Sequence, residues 1–304
     1  MSLRVAVIGV GYLGQHHARI FSELQDVELF GVVDADRERA ETVAQKYRSQ
    51  AFLNYKDVVG EVNALSIAVP TSHHFEIALD CLRKGKDVLV EKPIASTASE
   101  ADELVREAEK SGRILQVGHL ERYNSGVMAL SRMIDRPRLF ETVRFSPFLN
   151  RGCDVDVTVD LMIHDIEIVL SLISSPVKSM KAFGFSLMTD KIDEARVWIE
   201  FENGAMAYLS ASRVSREKKR KLRVYQKDLY MELDYQTGEV ELRPLKKPLK
   251  SEIIRPEYVE PLKEELKDFI SCVQKREQPR VSGAEGRDAL KIALEINELM
   301  ERHS

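Results

Sequence analysis

Two side chains near the middle of the chain have the types and spacing of an acid–base pair. Asp160 and His164 stand four residues apart in the apolar run "VTVDLMIHDIEIVLSLI", whose pattern predicts a mostly buried helix. Residues i and i+4 share one helix face, so the carboxylate and the imidazole lie one turn apart. An imidazole can exchange a proton near neutral pH, and a neighbouring carboxylate can orient it. A buried hydrogen bond that only holds the helix in place explains the same spacing equally well. Asp165 points about a quarter-turn away and is interpreted as a helix-capping or supporting group.

Lys92 is a third candidate, in the motif "VEKP". Glu91, Lys92 and Pro93 end the apolar run "DVLVEKP", which predicts a buried strand. Ligands of open parallel sheets bind outside the carboxyl ends of the strands, where this lysine is expected. A lysine there can donate a hydrogen bond to a substrate hydroxyl, whereas an exposed loop lysine is the alternative. Lys-Pro bonds are usually trans, but a tight site can hold the cis form.

Alternating strands and helices must position these residues. Apolar runs predict strands at Leu3–Ile8 and 28–33, and in "NALSIAVP", "DVLVEKP" and "RILQVGH". Amphipathic patterns predict helices at 12–24 and 36–48, in "HFEIALDCLRKG", and from Thr97 onwards. This alternation predicts an α/β fold with a doubly wound parallel sheet that helices cover on both faces.

The first predicted strand leads into a glycine fingerprint. Gly9, Gly11 and Gly14 have the G-x-G-x-x-G spacing between a strand and a helix, which is the context that a dinucleotide site requires. Gly9 would allow the tight turn, Gly11 would let a pyrophosphate approach, and Gly14 would let helix and strand pack closely. The helix N terminus would supply N–H groups for the phosphates. Ordinary turn chemistry is the alternative.

Asp34, at the end of the second predicted strand, indicates which dinucleotide is bound. It stands 20 residues beyond Gly14. A carboxylate there accepts hydrogen bonds from a ribose 2′-hydroxyl and repels a 2′-phosphate, which favours NAD over NADP. Arg37 weakens this preference, since its guanidinium could contact a phosphate.

Composition limits the class of protein. The 304 residues suffice for one large domain or two ordinary ones, and the formal net charge of −4 does not suggest a nucleic-acid partner. No stretch approaches the roughly 20 apolar residues of a membrane span, and no secretory signal is recognised. Cys81, Cys153 and Cys272 are widely separated, so neither a disulfide framework nor a metal site is expected. A cytoplasmic protein is the plain expectation.

Beyond about residue 138 the pattern changes to consecutive strands. "RLFETVRFS" alternates like a strand, and "ARVWIEFENGAMAYLSAS" has strands on both sides of Asn203 and Gly204, a hairpin signal. We expect a dinucleotide-binding domain at 1–120 and, at 121–304, an α+β domain for substrate binding and oligomerisation. Its open sheet is expected to be largely antiparallel and to pack against the Asp160 helix. Three aromatic residues are expected in a core or an interface: Trp198, Phe201 and Tyr208.

A basic run lies within this second half. It contains seven basic residues: Arg213, Arg216, Lys218, Lys219, Arg220, Lys221 and Arg223. A solvated hairpin end is the simpler interpretation, and a contact with the phosphates of a nucleotide-linked sugar is the alternative. Nucleic-acid binding is not expected, because no aromatic residues interleave with the run.

The motifs, taken in order, resemble those of one family over the whole chain. The glycine fingerprint, "VVDAD", "VPTSHHFEIA", "VLVEKPIA", "VGHLERYN" and "VDLMIHDIE" follow the order found in the Gfo/Idh/MocA oxidoreductases. This resemblance implies an NAD-dependent sugar dehydrogenase that acts on CH–OH groups, with NADP the less favoured cofactor. It also implies a last helix, at about 284–302, that returns to the Rossmann domain, and a homodimer or homotetramer formed through the open sheet face.

The resemblance implies roles for individual residues. Lys92 would lie between nicotinamide and substrate, and Asp160 and His164 would face the reacting sugar carbon, with His164 as the general base. The implied cofactor-binding residues are Gly9, Gly11, Tyr12, Leu13, Gly14, Asp34, Arg37, Pro70, Thr71, His74, Glu91 and Lys92. The implied substrate-binding residues are Arg122, Tyr123, Asn124, Arg151, Asp160 and His164. Family members commonly carry asparagine where Thr71 stands, a departure that retains a hydrogen-bonding side chain.

The stretch "SPFLNRGCDVDVTVDLMIHDIE" resembles the branch of the family that acts on nucleotide sugars, including the UDP-N-acetylglucosamine 3-dehydrogenases. Arg151 and the basic run would then hold the diphosphate. A dehydrogenase of a free sugar or cyclitol is the enzymatic alternative. A catalytically silent NAD-binding sensor is the non-enzymatic one, and the intact set of Lys92, Asp160 and His164 argues against it.

Overall fold

The computed structural model describes residues 2–149, 154–246 and 250–301. The chain forms two compact units. Unit 1 comprises Met1–Leu120 and Leu262–Arg287, and unit 2 comprises Glu121–Pro261 and Asp288–Ser304. None of the helices in the described ranges is both long and apolar enough to cross a membrane.

Strands and helices alternate through the first part of unit 1. The elements are β1 (Leu3–Ile8), α1 (Gly14–Glu23), β2 (Val27–Val33), α2 (Arg37–Tyr47), β3 (Gln50–Phe52), β4 (Ala64–Ile67), α3 (His74–Arg83), β5 (Asp87–Glu91), α4 (Ala98–Ser111) and β6 (Leu115–Gly118). The predicted start of a helix at Thr97 is confirmed. Its hydroxyl accepts a hydrogen bond from the Glu100 amide, and the Glu100 carboxylate accepts one from the Thr97 amide, which forms a capping box.

The sheet of unit 1 is parallel throughout, with the strand order β3-β2-β1-β4-β5-β6. This is the doubly wound order of dinucleotide-binding folds, as predicted. Its central strands read as apolar runs because both faces are covered, and Val7, Leu65 and Leu89 are fully buried. The order reverses between β1 and β4, so the residues that follow these strands flank the crevice where such folds bind ligands.

Unit 2 contains the consecutive strands that the sequence predicts. In chain order the remaining elements are α5 (Ser125–Ser131), β7 (Leu139–Phe145), a π-helical turn (Thr158–Met162), α6 (Ile163–Leu172), β8 (Val177–Phe185), β9 (Glu194–Phe201), β10 (Met206–Ser212), β11 (Lys219–Gln226), β12 (Leu229–Asp234), β13 (Val240–Pro244), β14 (Glu252–Ile254), α7 (Pro261–Lys275) and α8 (Gly283–Glu301). The strand order is β14-β13-β12-β11-β7-β10-β9-β8. Only β7 and β10 pair in parallel among the described strands of this sheet, which is therefore largely antiparallel.

The predicted hairpin around Asn203 and Gly204 joins β9 to β10, and Gly204 has φ of +82°. Inward positions of these strands are apolar, and α6 contacts β7 and β10. Phe201 is buried in this core. Trp198 and Tyr208 lie on the opposite face, where their rings pack with centroids 5.8 Å apart.

The carboxyl-terminal helices divide differently from the expectation for residues 284–302. α7 supplies the apolar stripe Leu266, Phe269 and Val273 to the core of unit 1, at helical spacing. α8 belongs to unit 1 only through its first turn, where Gly286 packs closely on Val117. The rest of α8 belongs to unit 2, because its buried side chains pack there; Met300, for example, lies against Gly184.

Candidate functional site

The turn between β1 and α1 explains two of the three fingerprint glycines by packing. Gly9 has φ of +84°, and a Cβ there would lie 2.8 Å from the carbonyl carbon of Ala68. A Cβ on Gly14 would lie 1.8 Å from the carbonyl oxygen of Gly9. Around Gly11, by contrast, a Cβ would meet nothing within 4 Å. Packing therefore does not require glycine at position 11, and the open space there fits the approach of a phosphate.

A cavity of about 720 Å³ lies beside this turn, and its size is typical of ligand pockets. Four of the residues that are predicted to bind the cofactor line this cavity: Gly9, Gly11, Tyr12 and Leu13. Gly14 instead packs against the Gly9 carbonyl. The first turn of α1 contains no acidic residue, and Leu13 provides no side-chain cap. No side chain thus neutralises the partial positive charge of this helix end, which favours an anion.

Asp34 also lines the cavity and is held in place by the glycine turn. Its Oδ2 accepts a hydrogen bond of 3.0 Å from the Val10 amide. The arginine beside it is Arg39, whose Nη1 lies 3.3 Å from both carboxylate oxygens of Asp34. Arg37, which was predicted from the sequence to contact the cofactor, has a side chain that is 71% exposed and pairs with Glu41. It lies outside the cavity lining. Asp36 caps α2, so the third helical residue turns towards Asp34 and the first turns away.

The loop after β4 contributes Pro70 and His73 to the cavity wall. Thr71 and His74, which were predicted to line the cofactor, are not part of that wall. His74 is buried, with Nδ1 2.8 Å from the Pro93 carbonyl and Nε2 2.9 Å from the Val69 carbonyl. Burial lowers the pKa of His74. Since a neutral imidazole has one N–H, it donates to only one of these two carbonyls. The ring lies between the loop after β4 and the loop that carries Lys92.

Lys92 begins the loop at the carboxyl end of β5, where the sequence predicts it, and the Lys92–Pro93 bond is cis. The Lys92 amide donates to Oε2 of Glu91 over 3.3 Å. Oε1 of Glu91 lies 3.1 Å from Nε2 of His17, and Nδ1 of His17 lies 2.7 Å from the Ser66 hydroxyl. Both His17 and Glu91 are buried, so these contacts fix the backbone from which Lys92 projects. His17 was missed, although its place three residues after Gly14, on the buried face of α1, was the available signal.

In unit 2, Asp160 and His164 lie at the start of the buried helix. The regular helix predicted across this run is corrected at its N-terminal end, since Thr158–Met162 is a π-helical turn. Both side chains are half-buried, whereas Ile163 and Ile166 are buried in the core. Widened turns of this kind are frequent at functional sites. The apolar pattern does not reveal the widened turn, because it contains the same buried residue types as an α-helix.

Asp165 is part of a buried ionic cluster and does not cap the helix. Arg144 donates from Nε and Nη2 to the two carboxylate oxygens of Asp165, at 2.9 Å each, and from Nη1 to Oε1 of Glu121 at 3.0 Å. Burial alone would lower the pKa of Arg144, but Asp165 and Glu121 raise it above its ordinary value. The sequence signal for Arg144 was its position in β7, where it shares the inward face with Phe140 and Thr142.

Three of the predicted substrate-binding residues make contacts within unit 2. Arg122 donates to Glu167 over 2.7 Å, and Tyr123 is buried. Asn124 caps α5 by accepting a hydrogen bond of 2.9 Å from the Gly126 amide. Arg151 lies outside the described residues, as does Cys153.

The residues of the basic run differ in their burial and in their hydrogen-bond or ion-pair partners. Arg213 is buried and donates to the Val155 carbonyl over 2.6 Å. Lys221 and Arg223 pair with Glu232. The remaining members include the exposed Arg216, Lys218 and Lys219, and Arg220, which lies near Glu121.

Cys81 and Cys272 are buried free thiols. No cluster of three or more His, Cys, Asp or Glu side chains suited to a metal ion occurs within residues 2–149, 154–246 and 250–301.

Comparison with known proteins agrees with this architecture. Residues 3–119 match the oxidoreductase family with an NAD-binding Rossmann fold, and residues 135–232 match the GFO/IDH/MocA C-terminal domain. The chain is 33% identical to UDP-N-acetylglucosamine 3-dehydrogenase from Acidithiobacillus ferrooxidans, over 98% of this chain and 97% of that one. A crystal structure of that enzyme superposes with a TM-score of 0.94, over 99% of each chain.

A second relative has a different substrate in its name. The scyllo-inositol 2-dehydrogenase (NAD(+)) from Bacillus subtilis is 27% identical over 70% of this chain and 68% of that one. The whole-length similarity and the two matched domains assign the chain to a family: it is a member of the Gfo/Idh/MocA oxidoreductases.

Proposed function

We propose that this chain is an NAD-dependent dehydrogenase that oxidises C3 of UDP-N-acetylglucosamine or of a closely related nucleotide sugar. One observation carries the proposal: the chain is 33% identical to a UDP-N-acetylglucosamine 3-dehydrogenase over 98% of its length. The geometry supports it within each unit. Unit 1 has an open glycine turn beside a cavity of about 720 Å³, and unit 2 has half-buried Asp160 and His164 on one helix.

The residues divide the chemistry among themselves in this proposal. NAD, which would be held by the glycine turn and Asp34, would supply the acceptor for the hydride of the sugar carbon. His164 accepts the proton of the hydroxyl on that carbon, because an imidazole can take up a proton near neutral pH. The Lys92 ammonium donates a hydrogen bond to the same oxygen and stabilises its developing negative charge. Asp160 orients His164 or binds a neighbouring hydroxyl.

NAD is the proposed cofactor in preference to NADP. Asp34 presents a fixed carboxylate at the cavity, where it can accept hydrogen bonds from ribose hydroxyls and repel a 2′-phosphate. Arg39 could attract that phosphate, but Asp34 and Asp36 already neutralise it through contacts of 3.3 Å each.

A dehydrogenase of a free sugar or cyclitol remains the second candidate, because an inositol dehydrogenase is also a relative. The test is the absorbance of reduced nicotinamide after purified protein is mixed with NAD and UDP-N-acetylglucosamine. Glutamate and an aminotransferase are added to remove the product if equilibrium is unfavourable. NADP, free N-acetylglucosamine and inositols are assayed in parallel.

Each outcome separates the candidates. A rise that requires NAD and the nucleotide sugar supports the proposal. A rise with a free sugar or an inositol alone moves the function to the second candidate. Tight NAD binding without turnover on any of these compounds favours a silent NAD-binding module.

We also propose that the chain forms a homodimer or homotetramer through the outer face of the unit 2 sheet. Phe183 and Phe185 of β8 are each 61% exposed on the same face as Trp198 and Tyr208. Exposed aromatic clusters of this kind are typical of protein interfaces. Sedimentation of wild type and Phe183→Glu tests this: a smaller species is expected for the variant, and identical masses would contradict the proposed interface.

A further inference from the structure

Arg220 differs from its neighbours in the basic run by the sheet face it occupies. In β11, Leu222 and Val224 are fully buried and share the parity of Arg220. Lys219 and Lys221 have the opposite parity, and successive side chains of a strand point to opposite faces. Arg220 therefore lies on the buried face of β11. On this side of the sheet α6 carries His164, and the π-helical turn before α6 carries Asp160.

A second arginine lies directly across from it. Arg220 pairs in register with Arg144 of β7. Like charges in directly opposed positions are destabilising unless other charges compensate them. Arg144 takes both oxygens of Asp165 and also Oε1 of Glu121, at 3.0 Å. Arg220 reaches the same Glu121 oxygen only at 3.8 Å, beyond hydrogen-bond distance. Arg144 is thus the better neutralised of the two cations.

Arg220 has a hydrogen-bond donor without an acceptor, which indicates a ligand-binding role. Its Nε is buried and has no hydrogen-bond acceptor among the described residues. Nε itself has almost no solvent-exposed surface, but the side chain as a whole is 32% exposed, so a ligand can approach its other atoms. Burial and the Arg144 cation lower the pKa of Arg220, while Glu121, Asp165 and Asp160 raise it. Asp160 is therefore close enough to act electrostatically on this guanidinium.

The charges around Arg220 restrict what it can bind. Arg144 and Arg220 supply two positive charges, whereas Glu121, Asp165 and Asp160 supply three negative ones. A phosphate would add further negative charge to a cluster that already has a negative excess. A neutral oxygen, such as that of a sugar hydroxyl or an N-acetyl carbonyl, can accept hydrogen bonds from the Arg220 guanidinium without that repulsion.

We propose that Arg220 is a substrate-binding residue that donates hydrogen bonds to a neutral oxygen substituent of the sugar ring. This inference rests on the proposed function. It assigns Arg220 to recognition of the ring and removes it from the group of residues that could hold a diphosphate.

The test compares Arg220→Gln with wild type in steady-state assays with UDP-N-acetylglucosamine and NAD. Loss of hydrogen bonds from a charged donor is expected to raise KM for the nucleotide sugar at least about tenfold. The KM for NAD and the inhibition constant of UDP, which has the diphosphate but no sugar ring, are expected to stay unchanged. Lys227→Met is the matched control, since it removes one positive charge from an exposed position in the turn after β11, outside the basic run.

Two results would overturn the inference. One is a folded Arg220→Gln protein whose KM for the nucleotide sugar equals that of wild type. The other is an equal loss of affinity for UDP, which would assign Arg220 to the diphosphate. If Arg220→Gln does not fold, Arg220→Lys replaces it; the charge is kept but the planar fork is lost, so a rise in KM of about threefold or more is expected.

Failure of the proposed function is distinguishable from failure of the inference about Arg220, because it changes which substrates the wild-type protein oxidises. If wild type oxidises an inositol or a free sugar and not the nucleotide sugar, the same KM comparison is made with that substrate. A rise in KM would support ring recognition by Arg220, and an unchanged KM would contradict it. If wild type oxidises none of them, both the function and the inference are rejected.

Discussion

Arg39 Nη1 lies 3.3 Å from each carboxylate oxygen of Asp34. Asp34, which is expected to select the cofactor, is therefore itself paired with a positively charged side chain. This pair lines the cavity beside the glycine turn. We therefore expect the balance between this carboxylate and this guanidinium to govern the discrimination between NAD and NADP.

Removing each partner should shift that discrimination in opposite directions. Asp34→Ala removes the repulsion of a 2′-phosphate and releases Arg39, so the ratio of kcat/KM for NAD to that for NADP should fall at least about tenfold. Arg39→Ala should raise the same ratio. Arg37→Ala is the control, since Arg37 pairs with Glu41 outside the cavity lining, and its ratio should equal that of wild type. An effect of Arg37→Ala as large as that of Arg39→Ala would reverse the assignment.

The fingerprint glycines should respond differently to an added methyl group. Gly14→Ala places Cβ 1.8 Å from the Gly9 carbonyl oxygen, so it should lower the free energy of unfolding by more than about 3 kcal/mol. Gly11→Ala meets nothing within 4 Å, so it should leave stability unchanged and weaken NAD binding. Urea unfolding and NAD titration measure the two effects. Gly60→Ala, also without a neighbour within 4 Å, should change neither. Normal NAD affinity in Gly11→Ala would contradict the phosphate site.

Lys92→Met should remove turnover and spare cofactor binding. The ammonium is proposed to stabilise charge on the substrate oxygen, and loss of one such donor lowers kcat by about 100-fold or more. The NAD dissociation constant, measured by fluorescence titration, should stay close to that of wild type. Lys110→Met, at an exposed position of α4, controls for the loss of a positive charge. Near-normal turnover by Lys92→Met would remove Lys92 from the mechanism.

Asp165→Asn should destabilise unit 2. It would leave Arg144 buried beside a neutral amide in place of a carboxylate that accepts two hydrogen bonds of 2.9 Å. Breaking a buried ion pair from one side costs about 3 to 5 kcal/mol, which denaturant unfolding would detect. Asp190→Asn, at an exposed position, should be neutral. A loss below about 1 kcal/mol for Asp165→Asn would show that the pair contributes little.

Glu232 should make stability depend on pH in the acid range. Burial alone would raise its pKa, but hydrogen bonds from Lys221, Arg223 and Tyr230 hold it at about 2, below the ordinary 4.5. Because the folded pKa is depressed, this stabilisation is complete above the unfolded pKa and is lost as pH falls from 4.5 towards about 2.

At pH 7, Glu232→Gln should therefore lower the free energy of unfolding by about 1 to 3 kcal/mol and flatten the acid limb of the stability profile. The measurement is urea unfolding at a series of pH values. Glu252→Gln, at an exposed position of β14, is the control. An acid limb as steep in Glu232→Gln as in wild type would contradict the depressed pKa.

The elements of the fold are largely predictable because their signals are local. Buried parallel strands read as apolar runs, Thr97 and Glu100 have capping-box spacing, and Asn203 and Gly204 mark a hairpin. β3 has only three residues and no such run, so it escapes the pattern. The apolar pattern also does not reveal the π-helical turn at Thr158–Met162, because the backbone geometry can change there without a change in residue type.

By itself, the sequence determined the doubly wound fold, the glycine turn, and the strand ends and helix that carry Lys92, Asp160 and His164. Tertiary structure alone decided which side chains meet. It turned Arg39 towards Asp34 in place of Arg37, placed the His74 ring between two backbone carbonyls, and put Arg220 across from Arg144. The physical reason is that strand alternation divides side chains between two faces, but packing decides which face is covered. The partners of buried charges lie far away in the chain, where local patterns carry no information.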